Sequence, residues 1–280
     1  MMNFTGFADE ASPDIEGQIE ALKELGWTGI EIRMIGKTHF DDLDDKTFET
    51  IHEKLEAAGI RIACYGSQIA NWSRPISTDF EKDVSELRRI IPRMKKTGTT
   101  LVRIMSYPNK NLSAPEWKRE VLRRLRGLSR IAGEGGVILA HENCSGYGGQ
   151  GWRENLELLE EINSPAFRQI FDTGNPVHQG QDAWQFYEAV REFIVHVHIK
   201  DYVPDAAAKD GYRACFPGEG RGEVKRVLSD LRQRGYAGWL SIEPHMVSVI
   251  HEGKSAGDRV SAASLFIEYG RRAERLLQGA

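Results

Sequence analysis

The sequence predicts an α/β fold, a single closed (β/α)8 barrel of the TIM type spanning residues 1–280. Three observations carry that expectation. Short β-branched runs alternate eight times with longer amphipathic stretches, no linker or low-complexity tract interrupts them, and the last four runs end in polar side chains able to bind a metal. The length of 280 residues suits one domain, since a barrel of this type takes about 250.

The strand candidates, in order, are Asn3–Phe7, Gly29–Met34, Arg61–Tyr65, Leu101–Ser106, Val137–Asn143, Gln169–Asp172, Ile194–Asp201 and Trp239–Pro244, each bounded by Gly, Pro, Asn or Asp. Helix starts are marked by side chains that accept from free backbone N–H groups. Ser12-Pro13-Asp14 opens Ile15–Leu25, Ser113-Ala114-Pro115-Glu116 opens Trp117–Ala132, and Asp182 precedes Ala183–Glu192. Gly26, Gly59, Gly98, Gly133 and Gly235 stand where helices should end, because glycine takes up left-handed backbone without a Cβ clash.

Parallel strands with helical crossovers can also build an open nucleotide-binding sheet, whose first strand should run into a glycine-rich phosphate turn. Here it runs into Phe7-Ala8-Asp9-Glu10, and the chain holds neither a GxGxxG nor a P-loop. Functional side chains at the carboxyl ends of several strands point to the barrel instead. Lys plus Arg number 37 against 41 acidic residues, a net charge of -4 without the basic surface that holds a polyanion, so no nucleic-acid partner is expected. The start lacks a basic segment followed by an apolar one, and no later stretch is apolar for the length of a bilayer, so a cytoplasmic protein with no membrane partner is expected. Cys64, Cys144 and Cys215 are odd in number and lack CxxC spacing, which predicts reduced thiols.

Strand five ends in His141-Glu142-Asn143, strand six in Phe171-Asp172-Thr173-Gly174-Asn175, strand seven in His196-Val197-His198-Ile199-Lys200-Asp201 and strand eight in Ile242-Glu243-Pro244-His245. Side chains alternate across a strand, so His196, His198 and Lys200 share the inward face and Val195, Val197 and Ile199 the outward one. The same rule turns Ile138, Ala140, Glu142, Ser241 and Glu243 inward. Glu142, Asp172, His198 and Glu243 then converge at the barrel mouth. Three carboxylates pressed together repel unless a cation joins them. With one imidazole they form a hard, oxygen-rich donor set for one divalent ion, suited to Mn²⁺, Mg²⁺ or Co²⁺ and compatible with Zn²⁺.

These strand ends, in this order and approximate spacing, resemble the xylose isomerase-like barrel superfamily, which includes ketose 3-epimerases, hydroxypyruvate isomerases, inosose dehydratases and apurinic endonucleases of the trinuclear zinc type. The resemblance covers essentially the whole chain. It implies metal ligands at Glu142, Asp172, His198 and Glu243, with Glu142 and Glu243 also serving as the acid and base. The implied function is isomerisation or epimerisation of a small sugar or polyol ketone through a metal-stabilised enediolate. The chemistry is sound independently, because an ion that chelates a carbonyl and its neighbouring hydroxyl acidifies the carbon-bound proton. The alternative is a dehydratase of an inosose-like or keto-sugar substrate, in which the same intermediate expels a β-hydroxyl. A phosphodiesterase would need further histidines after strands three and four, where the sequence reads Cys64-Tyr65-Gly66-Ser67 and Met105-Ser106-Tyr107. A non-catalytic sugar-binding barrel is the remaining reading, and a homo-oligomer is compatible with all of them.

Five further residues are expected to contact substrate. His178 follows Asp172 on the loop after strand six, although the superfamily more often places its histidine nearer the aspartate. Lys200 lies two residues beyond His198 on the same face, where it reaches either a substrate oxygen or the Glu243 and Asp172 carboxylates. Arg33 shares a face with Glu31 and lies near Arg103, an arrangement that fits an interior ion-pair cluster as well as ligand contact. Asn143 closes its strand-end run. Glu219 lies in the loop Pro217-Gly218-Glu219-Gly220-Arg221-Gly222, where barrels often bind phosphate; its carboxylate argues against an anion there and for hydroxyl acceptance from an unphosphorylated substrate. Trp72, Tyr107, Phe7, Trp184 and Phe216 are candidates for an apolar wall, with plain core as the competing role.

Overall fold

The computed structural model describes residues 2–246 and 259–279. Eight parallel strands form its central sheet: β1 (Asn3–Gly6), β2 (Gly29–Ile32), β3 (Arg61–Gly66), β4 (Leu101–Ser106), β5 (Ile138–Gly146), β6 (Phe167–Asp172), β7 (Ile194–Ile199) and β8 (Trp239–Ile242). Their spatial order is β1-β8-β7-β6-β5-β4-β3-β2, and a parallel bridge between Phe7 and Glu31 joins the two ends. The sheet therefore curls into a nearly closed barrel, which decides between the two α/β architectures that periodicity alone allows.

Eight helices alternate with the strands: α1 (Ile15–Glu24), α2 (Asp45–Ala58), α3 (Phe80–Thr97), α4 (Ala114–Gly135), α5 (Trp152–Ile162), α6 (Ala183–Val190), α7 (Val224–Gln233) and α8 (Arg259–Gln278). The expected caps form. Asp14 accepts from Gly17 N at 2.9 Å, Asp182 from Gln185 N at 2.7 Å, and Glu116 accepts from Ser113 N at 3.1 Å. Gly59 and Gly98 end α2 and α3 in left-handed backbone. Gly133 does not end α4. The helix continues to Gly135, and Gly136, at φ 73°, closes it by donating to the Gly133 carbonyl at 3.1 Å.

Among the described residues most buried apolar side chains fall into two clusters. The larger core fills the space between barrel and helices, with Leu139, Phe171, Val197, Ile199, Leu240 and Ile242 among its strand residues. A smaller cluster of Cys64, Leu101, Ala140 and Ile170 is contributed by strand faces that also carry the polar site. Val195 was expected to face outward with Val197, yet it packs against this smaller cluster. A register shift is the reason: Gln169 pairs with Ile194 and Ile170 with His196, so β7 carries an extra residue at that point. Among the described residues, three additions to the plain barrel lie beyond strand carboxyl ends. They are a hairpin of Met34–Ile35 with Thr38–His39, a helical turn at Asn175–His178, and a hairpin of Tyr202–Pro204 with Tyr212–Ala214.

Candidate metal centre

At the carboxyl ends of the strands Glu142, Asp172, His198 and Glu243 come together, each offering a ligand atom within 4.8 Å of the others, and all four are buried. His198 Nδ1 lies 3.4 Å from Glu142 Oε1 and 3.9 Å from Asp172 Oδ2. Alternation along β5, β7 and β8 turns these side chains inward. Asp172 is fixed by its own loop, since its Oδ1 accepts from the backbone N–H groups of Gly174 and Asn175 at 2.8 and 2.7 Å. That leaves Asp172 Oδ2 aimed at the cluster. Among the described residues Asp172 Oδ2, His198 Nδ1 and Glu243 Oε2 are buried without a hydrogen-bond partner. None of the three is isolated, since Lys200 Nζ faces both carboxylate oxygens and Glu142 faces His198 Nδ1; what fits a cation is the donor set itself, three carboxylates and one imidazole whose ligand atoms lie within 4.8 Å of one another.

The surroundings also favour a cation. Asp9, Glu10, Glu31, Glu142, Asp172 and Glu243 are buried together with only three permanent cations, Arg33, Arg103 and Lys200. Arg33 donates to Asp9 at 2.9 and 3.0 Å and to Glu243 Oε1 at 2.9 Å. Lys200 Nζ stands 2.5 Å from Glu243 Oε2 and 3.3 Å from Asp172 Oδ2. Arg103 Nη1 lies 3.4 Å from Glu142 Oε2, and Asn175 Nδ2 donates to Glu142 Oε1 at 3.0 Å. Behind the cluster, Glu31 receives His196 Nε2 at 2.8 Å and His198 Nε2 at 3.1 Å. His198 is thereby held with Nδ1 toward the other three groups, the usual way a protein orients a metal-binding imidazole.

Burial alone would raise the Glu142 carboxyl, but its contact with His198 and the charge of Arg103 outweigh that and hold it down to about 2. Glu243 is likewise held well below the usual range against burial, by Lys200, His245 and Arg33. Asp172 goes the other way: burial pushes it up, Lys200 pulls it back, and the charges of Glu142 and Glu243 leave it at about 6. Both glutamates are thus carboxylates at neutral pH, as bases and metal ligands must be.

Above the cluster opens a cavity of about 1000 Å³, lined by Arg33, Arg103, Glu142, Lys200, Glu243 and His178 among others. It is roomy for a small sugar, since ligand pockets run to roughly 300–1,000 Å³. Trp72, 42% exposed, stands on its wall. His178 lines the rim and pairs with Asp210 at 2.7 Å, its ring against Tyr202 and Tyr212.

Two expected contacts lie elsewhere. Asn143 is on the opposite face of β5 from Glu142; it accepts Asp172 N at 2.7 Å and donates to Asp172 O at 3.0 Å, stitching β5 to β6. Glu219 points away from the cavity and pairs with Arg272 of α8 at 2.6 Å. The amides of its glycine-rich loop do bind an anion, but an internal one: Gly218, Gly220 and Gly222 donate to Asp201 at 2.9, 2.9 and 2.8 Å. A Cβ on Gly220 would sit 2.2 Å from that carboxylate, so glycine is required there. Of the aromatic candidates, Phe7 and Tyr107 are core, and Trp184 and Phe216 pack under Arg226 and Arg272.

Sequence reasoning missed Asp9, Glu10 and His245 as members of this network. Glu10 accepts from His245 N at 2.8 Å, and His245 Nε2 stands 3.1 Å from Glu243 Oε1. Asp9 and Glu10 stand just beyond the carboxyl end of β1, the same side of the barrel toward which the recognised residues of β5 to β8 lie, and the strand-end rule applied to the first strand finds them.

A family model described as xylose isomerase-like TIM barrel matches residues 19–265. An inosose dehydratase of Clostridium botulinum is 23% identical over 264 residues, which cover 85% of this chain and 86% of the relative. A 2-epi-5-epi-valiolone 7-phosphate 2-epimerase of Actinoplanes is 30% identical over 147 residues, 52% of this chain and 51% of that one. A xylose isomerase-like TIM barrel protein from Mycobacterium smegmatis, solved in complex with magnesium, superposes with a TM-score of 0.71 at 16% identity, covering 99% of this chain and 97% of the other.

Proposed function

This chain belongs to the xylose isomerase-like TIM barrel family, and from that premise we propose that it is a divalent-metal-dependent isomerase or epimerase of a small sugar or polyol ketone. The observation that carries the reading is the convergence of Glu142, Asp172, His198 and Glu243 under a cavity, each with a ligand-type atom within 4.8 Å of the others. These four would hold one ion, with Mn²⁺, Mg²⁺ or Co²⁺ suited to so oxygen-rich a set and Zn²⁺ tolerated. When bound, the ion supplies positive charge against the substrate oxygen that becomes negative as the neighbouring carbon loses its proton.

The chain's own residues supply the remaining steps. Glu142 and Glu243 reach the cavity from β5 and β8, three places apart in the ring, so a substrate carbon between them is flanked by a carboxylate on either side. One, as carboxylate, would remove the carbon-bound proton, and the other, after taking a proton from solvent, would deliver it to the opposite face of the same carbon and invert the centre; return of the abstracted proton to the neighbouring carbon would move the carbonyl instead. Lys200, between Asp172 and Glu243, holds Glu243 in the ionised form that suits a base and offers a donor to a substrate hydroxyl. Arg33 fixes the other oxygen of Glu243.

A second reading, dehydration of an inosose-like or keto-sugar substrate, is favoured by the inosose dehydratase that matches 85% of the chain. It uses the same proton abstraction, with Lys200 placed to protonate a departing hydroxyl. Incubation of Mn²⁺-loaded protein in D₂O with ketoses, inososes and hydroxypyruvate, followed by NMR, separates the two. Deuterium entering without loss of water supports isomerisation, and a new unsaturated or deoxy product supports elimination. Glu142→Gln and Glu243→Gln should each lower turnover by about 10²–10⁴-fold with an unchanged circular dichroism spectrum; full activity in either variant would remove that residue from the acid/base role.

A further inference from the structure

We infer that Arg103 forms an anion subsite on the cavity floor and that the substrate carries a carboxylate, which this guanidinium receives. The inference rests on the function proposed above and narrows its substrate class.

The three cations of the cavity floor differ in how well they are satisfied. Arg33 has three short bonds to Asp9 and Glu243, and Lys200 lies between Asp172 and Glu243. Arg103 is only 5% exposed, yet its Nε has no partner among the described residues. Its other two contacts, Nη1 to Glu142 Oε2 and Nη2 to the Ser67 carbonyl, are both 3.4 Å long. A guanidinium has five N–H donors, and 3.4 Å lies beyond the usual N–H···O range, so this buried cation is under-bonded. Its one acidic contact is shared, because Glu142 belongs to the cluster that would hold the ion.

Two guanidinium groups, a ring face and an unpartnered imidazole nitrogen share the corner around Arg103. The Phe7 ring lies under both guanidinium groups, 4.2 Å from Arg33 and 5.1 Å from Arg103. His39 lines the same cavity with its Nδ1 unpartnered; burial and then the charges of Arg103 and Arg33 push it down to about 4, so it enters as a neutral imidazole. One under-bonded guanidinium matches one monoanionic, two-oxygen group. A phosphoryl dianion would need more donors, and the glycine-rich amides that could provide them already hold Asp201.

The test compares hydroxypyruvate with dihydroxyacetone, its uncharged counterpart, and with inorganic phosphate. Binding to the Mn²⁺-loaded protein is measured by calorimetry, and deuterium uptake into each organic probe by NMR. Hydroxypyruvate should bind roughly tenfold or more tighter than dihydroxyacetone. Arg103→Gln should bring that ratio close to one, and Arg103→Lys, which keeps the charge without the fork, should restore part of it. Equal binding of the two probes, or a ratio untouched by Arg103→Gln in a protein with native circular dichroism, overturns the subsite. Phosphate binding more tightly than hydroxypyruvate overturns the choice of a carboxylate. Arg103-dependent binding of hydroxypyruvate without deuterium uptake would instead uphold the subsite and overturn the isomerase reading.

Discussion

A histidine can present one ring nitrogen to a cation reliably only if its other nitrogen is engaged, and in His198 the Nε2 position is taken by Glu31. Burial would raise Glu31, but His198 and His196 outweigh it and hold that carboxyl well below its usual range, so it acts as a charged acceptor. Glu31→Gln keeps an acceptor oxygen and removes the charge. Its Mn²⁺ affinity, measured by calorimetry, should fall by about 10–100-fold, and an unchanged Kd would deny Glu31 this positioning role. Period-two alternation also explains why Glu142 and Asn143, adjacent in sequence, have unrelated tasks: one faces the cluster and the other bonds the backbone of β6. For Glu219 the sequence supplied only loop membership. Its partner Arg272 is 53 residues away, and pairing at that distance is set by where α8 lies against the barrel.

Among the elements, the connection from β3 to α3 carries Asn71 and Trp72 to the cavity wall and is fastened below by buried charge. Arg74 of this segment binds Asp83 and Glu86 of α3, and Glu86 Oε1 accepts Gln68 N at 3.2 Å. Asp41, in the turn before α2, is buried beside Glu86; burial first and then the Glu86 charge push its carboxyl well above the usual range. Two adjacent carboxylates in a dry site retain a proton between them. The raised value means that the folded chain binds more protons than the unfolded one above the ordinary carboxylate range, so stability falls as pH rises through that region. Asp41→Asn, which mimics the protonated form, should therefore raise Tm at pH 9 relative to the parent and change it little at pH 5. A loss of Tm at both pH values would show that the site needs the carboxylate itself.

For the molecule as a whole, a divalent ion at the cluster would join β5, β6, β7 and β8 at their open ends, so its binding should stabilise the entire barrel. At Mn²⁺ a hundred times above Kd the linkage amounts to ~2.7 kcal/mol, or roughly 5–10 °C in Tm for a domain of this size. The rise should vanish on adding a chelator, and Asp172→Asn should abolish it; equal melting of the metal-loaded and chelated protein would contradict a cation at this place. By itself the sequence determined the eight-fold βα order, the caps at Asp14, Ser113 and Asp182, and the inward set of Glu142, Asp172, His198 and Glu243, because periodicity, capping and alternation act over a few residues. Only the tertiary structure decided that the sheet closes through Phe7 and Glu31, that Val195 turns inward at a register shift, and that the glycine-rich loop encloses Asp201. It also decided that each guanidinium nitrogen of Arg33 has a partner while Nε of Arg103 has none among the described residues. Each of these depends on which strands and loops become neighbours across long stretches of chain, and no local pattern encodes that distance.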